Sequence, residues 1–219
     1  MTAKVFTLVF GLTADPIHKG HEQVILNSFA FANQHGFSID QFILIPTYQP
    51  NLIANKQQPR TPYKHRFKMC ELVAKEIYNQ YNHPIQVSDI EKQLFKKTNP
   101  KSYSYDTLSA INADRKLFVL SADHFAGRWP KFRKWYKWEA LVKENGLIIH
   151  QRPGNKVNKN FIKHLQHLNP NVYMVSDLPA VDVSSTQLRL SLMRSESISK
   201  QLVSKSVIQY VVKKRLYKT

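Results

Sequence analysis

The 219-residue chain is 42% hydrophobic and 11% aromatic, enough for a packed core, and its 21% charged residues form no repetitive tract, which excludes a chiefly disordered chain. At about 150 residues per domain it holds one domain, or one with a small appendage. The longest apolar runs, such as 42–46 and 146–149, are far shorter than the roughly 18 residues of a membrane helix, so no membrane partner is expected. Residues 5–12 are apolar, but Lys4 is a weak leader charge and no small-residue cleavage site follows, so no signal peptide is expected. Cys70 is the single cysteine. It excludes an intramolecular disulfide and a cysteine-based zinc site, reads as a buried small hydrophobe in a helix, and fits a reducing cytoplasm. The net charge of +17 is uneven: +4 over residues 1–110 and +13 over 111–219. Such an excess suits an anionic partner, either nucleotide phosphates or nucleic acid, or else a solvated basic surface.

The pattern alternates strand and helix. Residues 4–11, β-branched and aromatic and closed by Gly11, predict a buried strand. A helix follows over 20–34, a strand over 40–45 stopped by Pro46, and a proline-marked loop over 48–62. Residues 63–78 predict a helix, with Phe67, Cys70, Val73, Ala74 and Ile77 at helical spacing. Then come a short strand over 85–88, a loop over 92–101, a helix over 103–112 and a buried strand over 116–121. The stretch 125–138 holds all three tryptophans and reads as short helices. A strand over 146–150, a helix over 158–167, a strand over 172–175 and helices over 185–193 and 204–216 complete the chain, with 155–170 as the one soft spot. Strands separated by helices predict an α/β, Rossmann-like, doubly wound, mostly parallel sheet, with ligands at the carboxyl ends of its strands. The expected organisation is one domain over 1–219, with 184–219 as a small C-terminal helical subdomain.

The first strand runs through Gly11-Leu12-Thr13-Ala14-Asp15-Pro16 into His18-Lys19-Gly20-His21 at a helix start. Helix starts attract anions, because unsatisfied N–H groups and the dipole point at the ligand. Two histidines three apart can face one side there and donate to phosphate oxygens, with Gly20 permitting close approach. A zinc site would need a third and fourth ligand, which no Cys or H-E-x-x-H pattern supplies, so no metal ligand is assigned to protein side chains. Far downstream, Ser184-Ser185-Thr186 stand at another helix start, with Arg189 one turn in. Hydroxyls there cap the helix or bind phosphate, and an arginine adds a bidentate phosphate contact.

These two motifs together resemble the nucleotidyltransferase superfamily, with its H-x-G-H and late S-S-T-x-x-R. More narrowly, the chain resembles the bacterial nicotinate/nicotinamide mononucleotide adenylyltransferases. Residues 102–108 (SYSYDTL) are similar to that family's S-Y-T-x-D-T-L, and Ala122-Asp123 falls at its G-x-D. Trp135 and Trp138 fall in its aromatic segment, Arg152-Pro153-Gly154 matches its R-P-G, and residues 202–217 match its ending. The matches run in order from residue 8 to 217.

The resemblance implies adenylyl transfer from ATP, with Mg²⁺, to a pyridine mononucleotide, giving a dinucleotide and pyrophosphate in NAD biosynthesis. It implies ATP contacts from Gly11, Thr13, His18, His21, Ser185, Thr186 and Arg189, with His18, His21 and Arg189 as the catalytic set. Tyr103 and Ser104 would approach the pyridine carboxylate or amide, Trp135 would stack on the ring, Arg152 would grip the mononucleotide phosphate, and Asp123 would lie near ribose or metal. Against the family's G-G-[ST]-F-D-P, the chain has Leu12 and Ala14. A leucine is expected to resist φ > 0 and to add bulk where backbone nears a phosphate. Ser121 stands for the glycine of G-x-D. Asn51 and Leu52 follow Pro50 where the family carries a basic residue, with Lys56 as a substitute. The alternatives are transfer to another phosphorylated acceptor, or a non-catalytic nucleotide- or nucleic-acid-binding derivative. For the latter, residues 128–138 interleave cations and aromatics.

Overall fold

The computed structural model describes residues 4–50, 59–96, 101–152, 154, 156–181, 183–194 and 201–217. The Asn51, Leu52 and Lys56 assignments, Pro153 of the R-P-G turn, and parts of the loops expected at 48–62 and 92–101 lie outside them. In chain order the elements are β1 (Lys4–Leu12), α1 (Lys19–Gln34), β2 (Phe37–Pro46), α2 (Tyr63–Tyr81), β3 (Ile85–Val87), α3 (Ile90–Leu94) and α4 (Ser104–Ser109). There follow β4 (Lys116–Ser121), α5 (Trp138–Glu144), β5 (Gly146–His150), α6 (Lys159–Leu168), β6 (Val172–Val175), α7 (Ser185–Met193) and α8 (Lys205–Lys213). The six strands form one parallel sheet in the order β3-β2-β1-β4-β5-β6, the α/β Rossmann-like class expected from the alternation. Val9 lies opposite Phe118, and Val119 opposite Ile148. These strands read as apolar runs rather than alternating ones because both sheet faces are covered. The order reverses at β1 and β4, so ligands are expected at strand carboxyl ends. The first loop leaves the carboxyl end of β1, and Ala122-Asp123 leaves that of β4.

By internal contacts the chain forms two compact units. The first comprises Met1–Gly11, Val24–Ile43 and Tyr103–Ala180. Its core holds Phe6, Leu8, Leu117, Val119, Ile148 and Leu165, all at most 2% exposed. Gly146 opens β5 where a Cβ would sit 2.5 Å from the Asn171 carbonyl, so no other residue fits without moving backbone. The region 155–170 carries α6, where a helix was expected over 158–167. Its Asn158 side chain caps the Phe161 N–H at 3.0 Å, and Phe161, Ile162 and Leu165 are buried. The aromatic stretch 125–138 resolves into a short turn at Lys131–Lys134, with α5 beginning only at Trp138. Phe132 is buried, Arg133 lies over the Phe161 ring and Lys137 over Tyr105, so part of its charge covers rings.

At the end of β5, His150 is buried, with Nε2 2.9 Å from Ser28 Oγ. The Ser28 hydroxyl donates its proton to the Val24 carbonyl, so His150 must be the donor and is neutral with its proton on Nε2. Burial lowers its pKa to about 4. An unfolded histidine titrates near 6.5, so below that pH the unfolded chain binds the extra proton. The stabilising contribution is therefore full above about pH 6.5 and lost as pH falls toward 4, a loss on the order of 3 kcal/mol. Urea midpoints compared at pH 7 and pH 4.5 should show that fall, and His150→Gln should flatten it. An equal slope in the variant would remove His150 as its source.

The second unit comprises Leu12–Gln23, Leu44–Ser102 and Val181–Thr219. Here α2 buries Met69, Cys70, Val73, Ala74 and Ile77, as its spacing predicts. It packs on α8, which buries Val207 and Val211, and His65 Nδ1 meets the Tyr210 hydroxyl at 2.8 Å between them. α3 occupies part of the loop expected at 92–101, a single turn too short for periodicity to reveal. Its Glu91 is buried and accepts the Tyr48 N–H at 2.9 Å. Among the described residues, no helix is long and apolar enough to cross a membrane.

Candidate active site

The second unit contains the first loop and both sequence motifs. Between β1 and α1 the backbone is buried from Ala14 to His18, so its carbonyls need partners. Arg66 donates through a terminal nitrogen to the Thr13 carbonyl at 2.7 Å. Arg189 donates to the Asp15 carbonyl at 2.7 Å, and the Ser185 hydroxyl to the Pro16 carbonyl at 3.1 Å. The Asp15 carboxylate, 1% exposed, accepts the Arg60 N–H at 2.8 Å and the Tyr217 hydroxyl at 2.7 Å. Three distant segments thus grip three residues, Thr13, Asp15 and Pro16, within one short stretch.

Arg66 was not anticipated as a functional residue. It lies on α2, 2% exposed, and also donates to the carbonyls of Thr61 at 3.1 Å, Thr47 at 2.7 Å and Tyr48 at 3.4 Å. Burial pulls its pKa below the ordinary arginine value, and the Asp15 carboxylate opposes that shift. The signal was in the sequence: an arginine in phase with Cys70, Val73 and Ile77 on the apolar face of a helix must find buried acceptors.

Leu12 keeps clear of φ > 0, as expected of a leucine. It is an extended residue at the end of β1, 7% exposed, whose carbonyl accepts the Thr47 N–H at 2.9 Å. Its bulk is directed into the core. The left-handed residue of the loop is Ala14, with φ 55° and a buried methyl. Gly11 is also a strand residue, and a Cβ there would meet only the Phe118 ring, at 3.9 Å. Thr13 is exposed.

At the start of the 16-residue α1, the His18 and His21 rings stack with centroids 3.7 Å apart at 28°. His18 is 6% exposed and His21 half-buried. The His18 N–H donates to His21 Nδ1 at 3.3 Å, so a neutral His21 carries its proton on Nε2. Glu22, beside them, is buried and ion-paired with Lys19; burial pushes its carboxyl above the ordinary range and Lys19 opposes that. Gly20 is required by the histidine itself. An added Cβ would lie 3.1 Å from the His18 ring and 3.1 Å from a Val183 methyl. Gly20→Ala should therefore lower turnover about tenfold by displacing the ring a few tenths of an ångström. Helix stability should hold or rise, since alanine is the better helix former by roughly 0.5–1 kcal/mol. A variant with unchanged turnover would show that the ring's position is not critical.

At α7 the three hydroxyl residues divide their work. Ser184 is the cap, accepting the Gln187 N–H at 3.2 Å. Ser185 serves the first loop, and exposed Thr186 accepts from Arg189 at 3.2 Å. His18, His21, Ser185, Thr186, Arg189 and Thr13 therefore belong to one unit.

The first unit holds the remaining expected site residues. Tyr103 precedes α4, which Ser104 opens, and its ring lies 4.6 Å from that of Tyr136. Asp123 sits half-buried on a short turn after β4, and its carboxylate is 4.0 Å from His124 Nε2. The half-buried Trp135 packs on Phe118 of β4, on Phe132 and edge-on to His124, which brings it near Asp123. Its indole N–H is buried with no hydrogen-bond partner among the described residues. Arg152 is half-buried, two residues past β5. No group of three or more His, Cys, Asp or Glu among the described residues is placed to hold a metal ion.

The chain is 27% identical to a Hydrogenovibrio crunogenus protein named "Probable nicotinate-nucleotide adenylyltransferase", over 94% of this chain and 95% of the relative. It is 29% identical to a protein of the same name from Caldicellulosiruptor bescii, over 96% of this chain and 97% of that one. Among solved structures, Plasmodium falciparum nicotinic acid mononucleotide adenylyltransferase complexed with APC matches with TM-score 0.71 at 21% identity, covering 99% of this chain and 98% of its own. That likeness is one of fold. The same protein complexed with NaAD matches with TM-score 0.68. The cytidylyltransferase-like family model matches residues 9–191, from the end of β1 through the S-S-T-x-x-R helix, and the chain belongs to that family.

Proposed function

We infer that this chain is a nucleotidyltransferase that moves the adenylyl group of ATP onto nicotinate or nicotinamide mononucleotide, releasing pyrophosphate and forming the dinucleotide of NAD biosynthesis. The observation that carries the reading is the stacked His18–His21 pair at the α1 N-terminus, beside a loop held by Arg189. It is an anion site built before any ligand arrives. The names of the full-length relatives support the pyridine mononucleotide as acceptor.

In the reaction, a phosphate oxygen of the mononucleotide attacks the α-phosphorus of ATP. The new P–O bond forms as the bond to the β-phosphate oxygen breaks, and pyrophosphate leaves with the electron pair. The second phosphate pKa is about 6, so the attacking oxygen is already anionic and needs no general base. Alignment of the two anions supplies roughly 7–11 kcal/mol, and fixed donors add to it. His18 and His21 donate to the ATP phosphates and the transition state, Arg189, Thr186 and the backbone N–H of Ser185 at the start of α7 hold the β- and γ-phosphates, and Gly11 and Thr13 present backbone to the α-phosphate. Tyr103 and Ser104 approach the carboxylate or amide of the pyridine, Trp135 stacks on its ring, Arg152 grips the mononucleotide phosphate, and Asp123 lies by the ribose. The unpartnered indole N–H of Trp135 supports a ligand acceptor there. Nucleotidyltransferases generally use a divalent metal with ATP. We assign Mg²⁺, entering on the nucleotide phosphates as part of the substrate; the Asp15 carboxylate is committed to Tyr217 and Arg60. The reading treats 1–219 as one nucleotidyltransferase domain with 184–219 as its C-terminal helical part, working in the cytoplasm.

The test is pyrophosphate release from ATP and Mg²⁺ with nicotinate mononucleotide, nicotinamide mononucleotide and 4'-phosphopantetheine offered separately. Release with one pyridine mononucleotide is expected and names the acceptor. Release only with phosphopantetheine keeps the transfer chemistry and moves the acceptor. Binding of ATP without release on any of them overturns the catalytic reading.

A further inference from the structure

We propose that Tyr217, near the C-terminus, is a positioning residue for adenylyl transfer: its hydroxyl holds the Asp15 carboxylate, and through Asp15 sets the place of Arg189. The inference rests on the first loop being where ATP phosphates bind.

Tyr217 and Asp15 are 202 residues apart, yet their side chains meet at 2.7 Å. The Thr61 side chain also hydrogen-bonds the Tyr217 hydroxyl, and the adjacent Arg60 N–H fills the other Asp15 oxygen at 2.8 Å. The Asp15 side chain is thus fixed at both oxygens, and its own carbonyl receives Arg189 at 2.7 Å. Arg189 also donates to the Thr186 hydroxyl at 3.2 Å, and its charge acts on Tyr217. Asp15 is therefore the hinge between the tail and the guanidinium.

The route of the chain to this contact is itself strained. α8 ends at Lys213, and two of the next four residues, Arg215 (φ 52°) and Tyr217 (φ 64°), take left-handed backbone. Non-glycine residues keep such conformations only where their surroundings over-determine them, and such sites cluster at functional positions. Burial and the facing Asp15 charge both raise the phenol pKa, so the hydroxyl keeps its proton and remains the donor. Without it, a carboxylate oxygen that is almost fully buried loses its partner. Asp15 must then turn to find another, its carbonyl moves, and Arg189 is released from its place.

The experiment compares Tyr217→Phe with Tyr210→Phe. The latter removes a hydroxyl of the same C-terminal segment that bonds only His65 among the contacts above. Acceptor-free titration with ATP and steady-state pyrophosphate release are both read. Tyr217→Phe should raise the ATP Kd and the ATP KM about tenfold and lower kcat, with the mononucleotide KM unchanged, the scale of one hydrogen bond to a charged group. Tyr210→Phe should leave all four values unchanged. A wild-type ATP Kd in Tyr217→Phe overturns the proposal. So does a lower kcat with both KM values unchanged, the pattern of a smaller folded fraction. A second measurement uses the unaltered protein: by linkage, bound ATP should slow amide hydrogen exchange over residues 214–217. Equal exchange with and without ATP would also overturn it. A wild-type protein that binds ATP but releases no pyrophosphate sinks the catalytic reading alone, because the affinity comparison still stands.

Discussion

Replacing His18 with alanine should lower pyrophosphate release by about 10²–10³, the usual scale for one preorganised donor to a transition state. The size of the effect follows from how fully the ring is fixed in advance. It is 6% exposed, stacked 3.7 Å from His21, and bounded by Gly20 on a side where even a methyl would crowd it. No ordering cost remains when ATP arrives, and water does not compete for the ring. His21 is held differently, through the His18 N–H on its Nδ1, which survives the substitution. His21 should therefore stay in place, and the double variant should lose less than the product of the two single losses, as expected of residues acting on one group. The melting temperature should fall by only a few degrees, since the backbone N–H bond of residue 18 to His21 survives the loss of the stack. Single-turnover rates and thermal melts of His18→Ala check both halves. An unchanged rate would remove His18 from the mechanism.

Arg66→Met should destabilise the protein by about 3–5 kcal/mol, the range for leaving several buried polar groups without partners. Methionine fills much of the volume, so the loss reports donors and charge rather than a cavity. Four carbonyls, those of Thr13, Thr47, Tyr48 and Thr61, would lose the guanidinium that serves them. Thr13 and Thr47 directly follow β1 and β2, so both strand exits should loosen together. Arg66→Lys should recover only part of the loss, because one ammonium cannot match the geometry of a planar fork. Urea midpoints at neutral pH give the difference directly. A change under about 1 kcal/mol for Arg66→Met would mean that water replaces the guanidinium readily. Activity should fall with stability in this variant, whereas Tyr217→Phe should separate the two.

The elements that needed only near neighbours were legible in the sequence. Lys116–Ser121, Gly146–His150, Val172–Val175 and Ser185–Met193 form where their apolar spacing and turn residues predict. The same is true of the buried face of α2 and of the parallel alternation that defines the fold class. H-x-G-H after a first strand and S-S-T-x-x-R before a late helix are local patterns too, and in order along the chain they marked the family. Short pieces such as α3 escaped, because one turn has too few residues to display a period.

What the tertiary structure alone decided is which groups the motif residues touch. Arg66 meets Thr13 across 53 residues, Arg189 meets Asp15 across 174, and Tyr217 meets Asp15 across 202. Sequence spacing carries no information about such pairs. They arise because a loop folded into the interior must satisfy its carbonyls from whatever donors the topology brings alongside. The tertiary structure also put the left-handed backbone at Ala14, kept Leu12 extended in β1, and gave Ser184 the cap while Ser185 went to the loop. Residue type and periodicity determined the fold class and the chemistry available to this protein; the burial of one loop determined which side chains hold that chemistry in place.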